Sequence, residues 1–157
     1  MYVFGHNISE TLESTAKSWA CAQVIGLLPD WFGQPVSNER YVREIADKDV
    51  FSAFVEDELA GLVALKYHFG STAELWWLGL KPEFHRRGIG TSLVNVATMR
   101  ARERGCRHLA VMTISEWSDD EFYRRTRLFY QRLGFHPFVE FNETDPLNPM
   151  MWMIKPL

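Results

Sequence analysis

The chain has 157 residues, 46% of them hydrophobic and 24% charged, with a formal net charge of -3. That is enough apolar material for one core, and the acidic balance disfavours a general polyanion binder. Its two cysteines, Cys21 and Cys106, fit reduced thiols rather than a disulfide framework or a zinc site, so no metal is expected.

No segment approaches the roughly 18 to 20 consecutive apolar residues of a membrane helix. The start, Met1 to Asn7, lacks a charged leader followed by an apolar signal core. A single domain over 1–157 is expected, cytoplasmic, with no nucleic-acid or membrane partner.

In chain order, Tyr2 to Phe4 is a candidate first strand, and Ser9 to Leu27 carries helical spacing in Leu12, Ala16, Trp19, Ala20 and Val24, closed by Pro29. Leu28 to Pro35 is broken by two prolines and a glycine, so it is a loop; Trp31 and Phe32 either plug the core or line a pocket. Ser37 to Ala46 predicts a short helix capped by Ser37 or Asn38, with Tyr41, Val42 and Ile45 on one side. Val50–Glu56 and Leu59–His68 are β-rich runs around an Asp57-Glu58 turn, and Thr72 to Leu80 follows Gly70-Ser71. Three tightly joined strands make an antiparallel meander.

Gly88 to Arg104 has Ile89, Leu93, Val96, Ala97 and Ala101 near helical spacing and stops at Gly105; His108 to Ile114 is the next strand, parallel to the previous one by the crossover rule. Ser118 to Glu121 has the form of a capping box and opens a helix through Leu133, with Phe122, Thr126, Phe129 and Leu133 on one face. His136–Phe141 and Met150–Ile154 complete the strands across a polar loop. The order βααβββαβαββ is an α+β fold with one mixed sheet, antiparallel at its start and parallel at its centre.

The stretch Leu78 to Thr91 stands apart. An apolar strand is stopped by Pro82, and a basic loop, His85-Arg86-Arg87, leads into Gly88-Ile89-Gly90 at a helix start. Backbone N–H groups turned toward one point, the positive end of a helix and fixed arginine charge together suit a phosphate or pyrophosphate. A nucleotide P-loop is excluded because no Lys follows Gly90, and a dinucleotide fingerprint fails because Leu93 stands at its third glycine. A glycine-rich turn with solvated arginines is the other reading of these letters.

That loop, the element order and the run Phe129-Tyr130-Gln131-Arg132-Leu133-Gly134-Phe135 together resemble the GNAT superfamily of acetyl-CoA-dependent N-acetyltransferases, most strongly from about Val50 to Phe138. The resemblance implies a mixed, mostly antiparallel sheet whose parallel central strands splay around the cofactor, flanked by helices. It places the pyrophosphate of coenzyme A on His85, Arg86, Arg87, Gly88, Ile89, Gly90 and Thr91, with His85 where Gln or Arg is usual. It implies a pantetheine arm paired with the backbone near Leu78 and Leu80, and a second wall from Phe129 and Tyr130. Arg132 and Arg127 either touch the cofactor's phosphates or are solvated. Tyr123 stands where an Asn is common in the family, so that contact does not carry over.

Amide formation from a thioester needs a neutral amine, a polarised carbonyl and a proton for the departing thiolate. An alkylammonium titrates near about 10, so something must accept its proton. Glu74, eleven residues before His85, matches the general base of some family members; the bland alternative is an exposed carboxylate, with a water chain as base. Strand alternation puts Glu74, Trp76, Leu78 and Leu80 on one face. Tyr130 occupies the family's usual acid position, with packing alone as its other reading, and a backbone N–H at Leu78 or Leu80 would polarise the carbonyl. His6, His68, His108 and His136 show no ligand spacing and read as surface or satisfied residues.

The expected function is transfer of an acetyl group from acetyl-CoA to a primary amine of a small molecule or peptide, by direct attack in a ternary complex, in a monomer or homodimer. Trp31, Phe32 and Trp76, with the 142–149 loop, are the acceptor candidates, and the rings with Glu74 and Asp30 suit a cationic or aromatic amine. A non-catalytic acyl-CoA sensor of the same fold is the competing expectation.

Overall fold

The computed structural model describes residues 2–3, 5–141 and 147–157. Phe4 and most of the acceptor-candidate loop, residues 142–146, lie outside the described residues. The chain divides into two compact units, one of residues 1–66 and 76–100, the other of residues 67–75 and 101–157.

The first unit opens with β1 (Tyr2–Val3) and β2 (His6–Thr11), followed by α1 (Ser14–Ile25), α2 (Pro35–Glu44), β3 (Asp49–Val55) and β4 (Glu58–His68). β1 pairs antiparallel with β2, β2 with β3, and β3 with β4, in the register Asn7↔Phe54 and Asp49↔Leu65. The β3–β4 turn is Glu56-Asp57, both at positive φ of 48° and 67°, the mirror-image turn whose twist suits a hairpin. It sits one residue earlier than the expected Asp57-Glu58. β4 is buried without interruption from Leu59 to Leu65, as expected of a strand covered on both faces.

The N-terminal region departs from expectation. Instead of a helix from Ser9, the chain continues to Thr11 as β2, with His6 and Ile8 buried and Asn7 and Ser9 exposed. One apolar residue in six, Ile8, is a weak signal, and pairing with β3 supplies the stability that local composition does not. α1 buries Ala20, Cys21, Val24 and Ile25, while Leu12 precedes it and Trp19 is exposed. α2 starts two residues early: Pro35 takes its first position, where a missing N–H costs nothing.

β5 (Thr72–Leu80) gives its latter part to this unit, and α3 (Ile89–Glu103) follows a short 3-10 turn at Pro82–Phe84. Ile89, Leu93, Ala97 and Ala101 are all buried, one every four residues. Truncating such a side chain as Leu93 to Ala costs about 2–5 kcal/mol. Arg100 ties α3 to the sheet, donating to both Glu10 carboxylate oxygens at 3.0 and 2.9 Å and to Asp49 at 3.4 Å.

In the second unit β5 begins parallel to β6 (His108–Ile114), in the register Thr72↔His108 to Glu74↔Ala110. α4 (Glu121–Arg132), β7 (His136–Phe141) and β8 (Met150–Pro156) follow, and β8 lies between β6 and β7, antiparallel to both. The helix cap differs from the expected capping box: the Asp120 carboxylate accepts from the N–H groups of Phe122 and Tyr123 at 2.9 and 3.1 Å, and Ser118 accepts from Asp120 instead. The architecture is α+β, with a parallel pair inside an otherwise antiparallel set of strands.

Candidate active site

Along β5, Ala73, Leu75, Trp77 and Gly79 are buried, and Trp76, Leu78 and Leu80 are half-buried on the other face. The backbone alternates as well. The N–H of Lys81 donates to Ala60 of β4 at 2.8 Å, so residue 81 turns its backbone groups toward β4, and Leu80 and Leu78 turn theirs to the opposite edge. The close approach of Gly61 to Gly79 carbonyl oxygen leaves no room for a Cβ there.

His85 acts on this edge. Its Nε2–H donates to the Leu80 carbonyl at 2.8 Å, because a carbonyl can only accept, and Trp31 lies edge-on to the imidazole with centroids 5.6 Å apart. The first side chain of the basic loop is therefore engaged with the strand end.

Next in the chain, Arg86 and Gly88 both adopt left-handed φ, 60° and 79°. An arginine at positive φ is uncommon and costs about 1–2 kcal/mol, and it alternates the backbone direction in the way that gathers N–H groups into a concavity. The first bond within α3 runs from Ser92 N–H to Gly88 carbonyl at 3.1 Å, so the N–H groups of Ile89, Gly90 and Thr91 precede any intrahelical acceptor. Arg86, Arg87 and Gly88 are exposed, and Arg87 leans over the Phe84 ring at 5.4 Å. An anion fits this cradle.

The aromatic candidates of the first unit converge. Phe32 stacks on Trp77 at 5.2 Å, Tyr41 meets Phe32 at 6.1 Å and Trp76 at 5.2 Å, and the Lys48 ammonium lies 4.8 Å over the Trp76 ring. Trp31 and Phe32 are thus both half-buried, packed against the core cluster. A separate groove of about 440 Å³ between α1 and α2, lined by Ala22, Ile25, Val42 and Arg43 among others, contains no candidate residue.

In the second unit Glu74 is not the exposed carboxylate of the bland alternative. It is buried, 7% exposed, and its Oε2 lies 2.6 Å from Nε2 of His68. His68, expected only as a surface or satisfied residue, is that partner, six residues before Glu74 across the β4–β5 hairpin. Tyr130 is also buried, with Phe129 and Phe135 rings at 5.3 and 5.4 Å. Burial pushes its phenol well above the usual range, with a smaller contribution from Tyr123.

Arg127 is not solvated. It is 8% exposed and donates to the carbonyls of Ile114 and Ser115 at 2.9 and 3.2 Å, closing the end of β6. Arg132 is exposed in the last turn of α4. Among the described residues no group of three His, Cys, Asp or Glu could hold a metal ion, and no helix is long and apolar enough to cross a membrane.

The model of the acetyltransferase (GNAT) family matches residues 11–135. No curated protein matches the chain by sequence. Among solved structures the chain is similar to a GNAT-family acetyltransferase from Elizabethkingia anophelis with acetyl-CoA bound, at 16% identity over 98% of this chain and 99% of that one, TM-score 0.74. It is similar to the ribosomal-protein-S18-alanine N-acetyltransferase from Escherichia coli, at 17% identity over 96% and 93%, TM-score 0.75. The aminoglycoside 6'-N-acetyltransferase from Enterococcus faecium gives 22% identity over 96% of each chain and a TM-score of 0.74. At these identities the likeness is one of fold.

Proposed function

Because the chain belongs to the acetyltransferase (GNAT) family, we propose that it moves the acetyl group of acetyl-CoA to a primary amine by direct attack in a ternary complex, with residues 1–157 forming one acetyltransferase domain. The observation that carries this reading is the cradle at the start of α3, where Arg86 and Gly88 turn left-handed and three N–H groups precede the first intrahelical acceptor. Coenzyme A would rest its pyrophosphate there, with Arg86, Arg87 and Arg132 adding charge. Its pantetheine amides would pair with the backbone of Leu78 and Leu80.

Glu74 takes the proton of the acceptor ammonium in this reading. Tyr130 donates a hydrogen bond to the sulfur of the leaving thiolate. Burial raises the phenol further above its usual range, which keeps it in the protonated form that can donate to the thiolate. A backbone N–H at Leu78 or Leu80 polarises the thioester carbonyl.

The acceptor is a small-molecule or peptide amine, and the rings of Trp31, Phe32 and Trp76 favour a cationic or aromatic one. Lys48 already places an ammonium over Trp76, the arrangement a cationic acceptor would share. Thiol release from acetyl-CoA, followed across a panel of amines, tests the reading. Release is expected with cationic amines, and Tyr130→Phe should lower kcat about 10- to 100-fold. Coenzyme A binding with no release for any amine would instead make the chain an acyl-CoA sensor, and reaction with anionic acceptors alone would overturn the substrate class.

A further inference from the structure

We propose that His68 is a positioning residue for Glu74, holding one carboxylate oxygen so that the other is presented to the acceptor's proton; this rests on the reading of Glu74 as the base. A carboxylate that is 7% exposed has lost most of its water and needs a donor in exchange. His68 is the donor. A carboxylate only accepts, so the Nε2–H of His68 donates to Oε2, and 2.6 Å is a short, charge-assisted contact.

The two oxygens then differ. Oε1 has no partner among the described residues, and it is not among the buried polar atoms that are sealed without one. It keeps its lone pairs and some access to the surface, which is what a base toward an incoming ammonium requires. The hairpin sets the geometry: β4 ends at His68, Phe69 and Gly70 turn at φ 54° and 68°, the Ser71 N–H returns to the His68 carbonyl at 3.2 Å, and β5 carries Glu74. His68 itself is one-third exposed at its side chain, so the bond spans the boundary between Glu74 and solvent.

The test compares His68→Leu, which removes the donor, with His68→Gln, whose amide N–H sits at nearly the reach of the imidazole Nε2, in steady-state kinetics and thermal unfolding. His68→Leu should lower kcat about 10- to 100-fold with KM for acetyl-CoA unchanged. His68→Gln should recover most of the rate. In a Glu74→Gln background, His68→Leu should add no further loss, since the two act as one unit.

A Glu74→Gln variant that is slow beside a His68→Leu variant at the parental rate overturns the inference while leaving Glu74 as base. Equal, additive losses in both backgrounds also overturn it, because a merely structural histidine behaves that way. A Glu74→Gln variant at the parental rate removes the base reading and this inference with it. Should His68→Leu not fold, His68→Met carries the same comparison.

Discussion

α3 with its leading loop and α4 each carry residues of the proposed site, and they do so by different means. α3 offers backbone: N–H groups at its start, gathered by the left-handed turns at Arg86 and Gly88. α4 offers a side chain, the buried phenol of Tyr130, beside a buried guanidinium at Arg127 that closes the end of β6. A backbone site depends on φ and on where a helix begins, both of which glycine positions announce. A side-chain site depends on which face of a helix is covered, and that is set by elements distant in sequence.

The largest effect should come from breaking the backbone half. A Cβ at Gly88 meets nothing within 4 Å, so Gly88→Val acts through φ alone, where a β-branched residue is disfavoured by about 1–2 kcal/mol or more. Titration calorimetry should show coenzyme A affinity falling at least about tenfold. Arg86→Gly, which suits its φ of 60°, should cost less than fivefold or so, about the worth of one solvated charge. Equal losses for the two would mean that arginine charge, not backbone shape, holds the anion.

Next comes the side-chain half. Arg127→Met removes the guanidinium bond to the Ile114 carbonyl and one of the two donors to the Ser115 carbonyl, which keeps the Ser118 N–H at 3.1 Å, and should lower stability by about 1–3 kcal/mol in urea unfolding, with coenzyme A affinity unchanged. A matching loss of affinity would return Arg127 to the ligand and erase its difference from the arginines of the loop.

The smallest effect concerns the neighbourhood of the loop. Burial, and secondarily the charge of Arg87, holds the His6 imidazole below its usual range. The unfolded chain therefore takes up this proton more readily than the folded one, and the folded state loses stability as pH falls below about 6.5 toward the depressed value. Thermal unfolding from pH 7 to 5 should slope downward in the parent and less steeply in His6→Met, the two differing by no more than a few degrees. An identical slope would place the titration elsewhere.

These contrasts follow how far each feature could be read from the letters. Strands β3 to β5 and helix α3 are strongly patterned, and their bounds differ from expectation by a residue or two. β2 was not legible: His6 to Thr11 has one apolar residue, Ile8, and its pairing with β3 decides it. Within α4 the spacing of Phe122, Thr126, Phe129 and Leu133 pointed to a face, yet the buried residues are Arg127 and Tyr130, because a guanidinium with two carbonyl acceptors can be covered at little cost.

Residue order alone was enough for the α+β arrangement and for the cradle at Gly88 and Gly90, since period, turn chemistry and helix starts are local properties of the chain. Three things waited for the folded molecule: the burial of Glu74, its bond to His68, and the hold of His85 on the Leu80 carbonyl. Each is a contact whose strength comes from lost water. Water is removed by neighbours that the local sequence does not contain, so a carboxylate that reads as solvated on paper becomes, once covered, one that must find a partner.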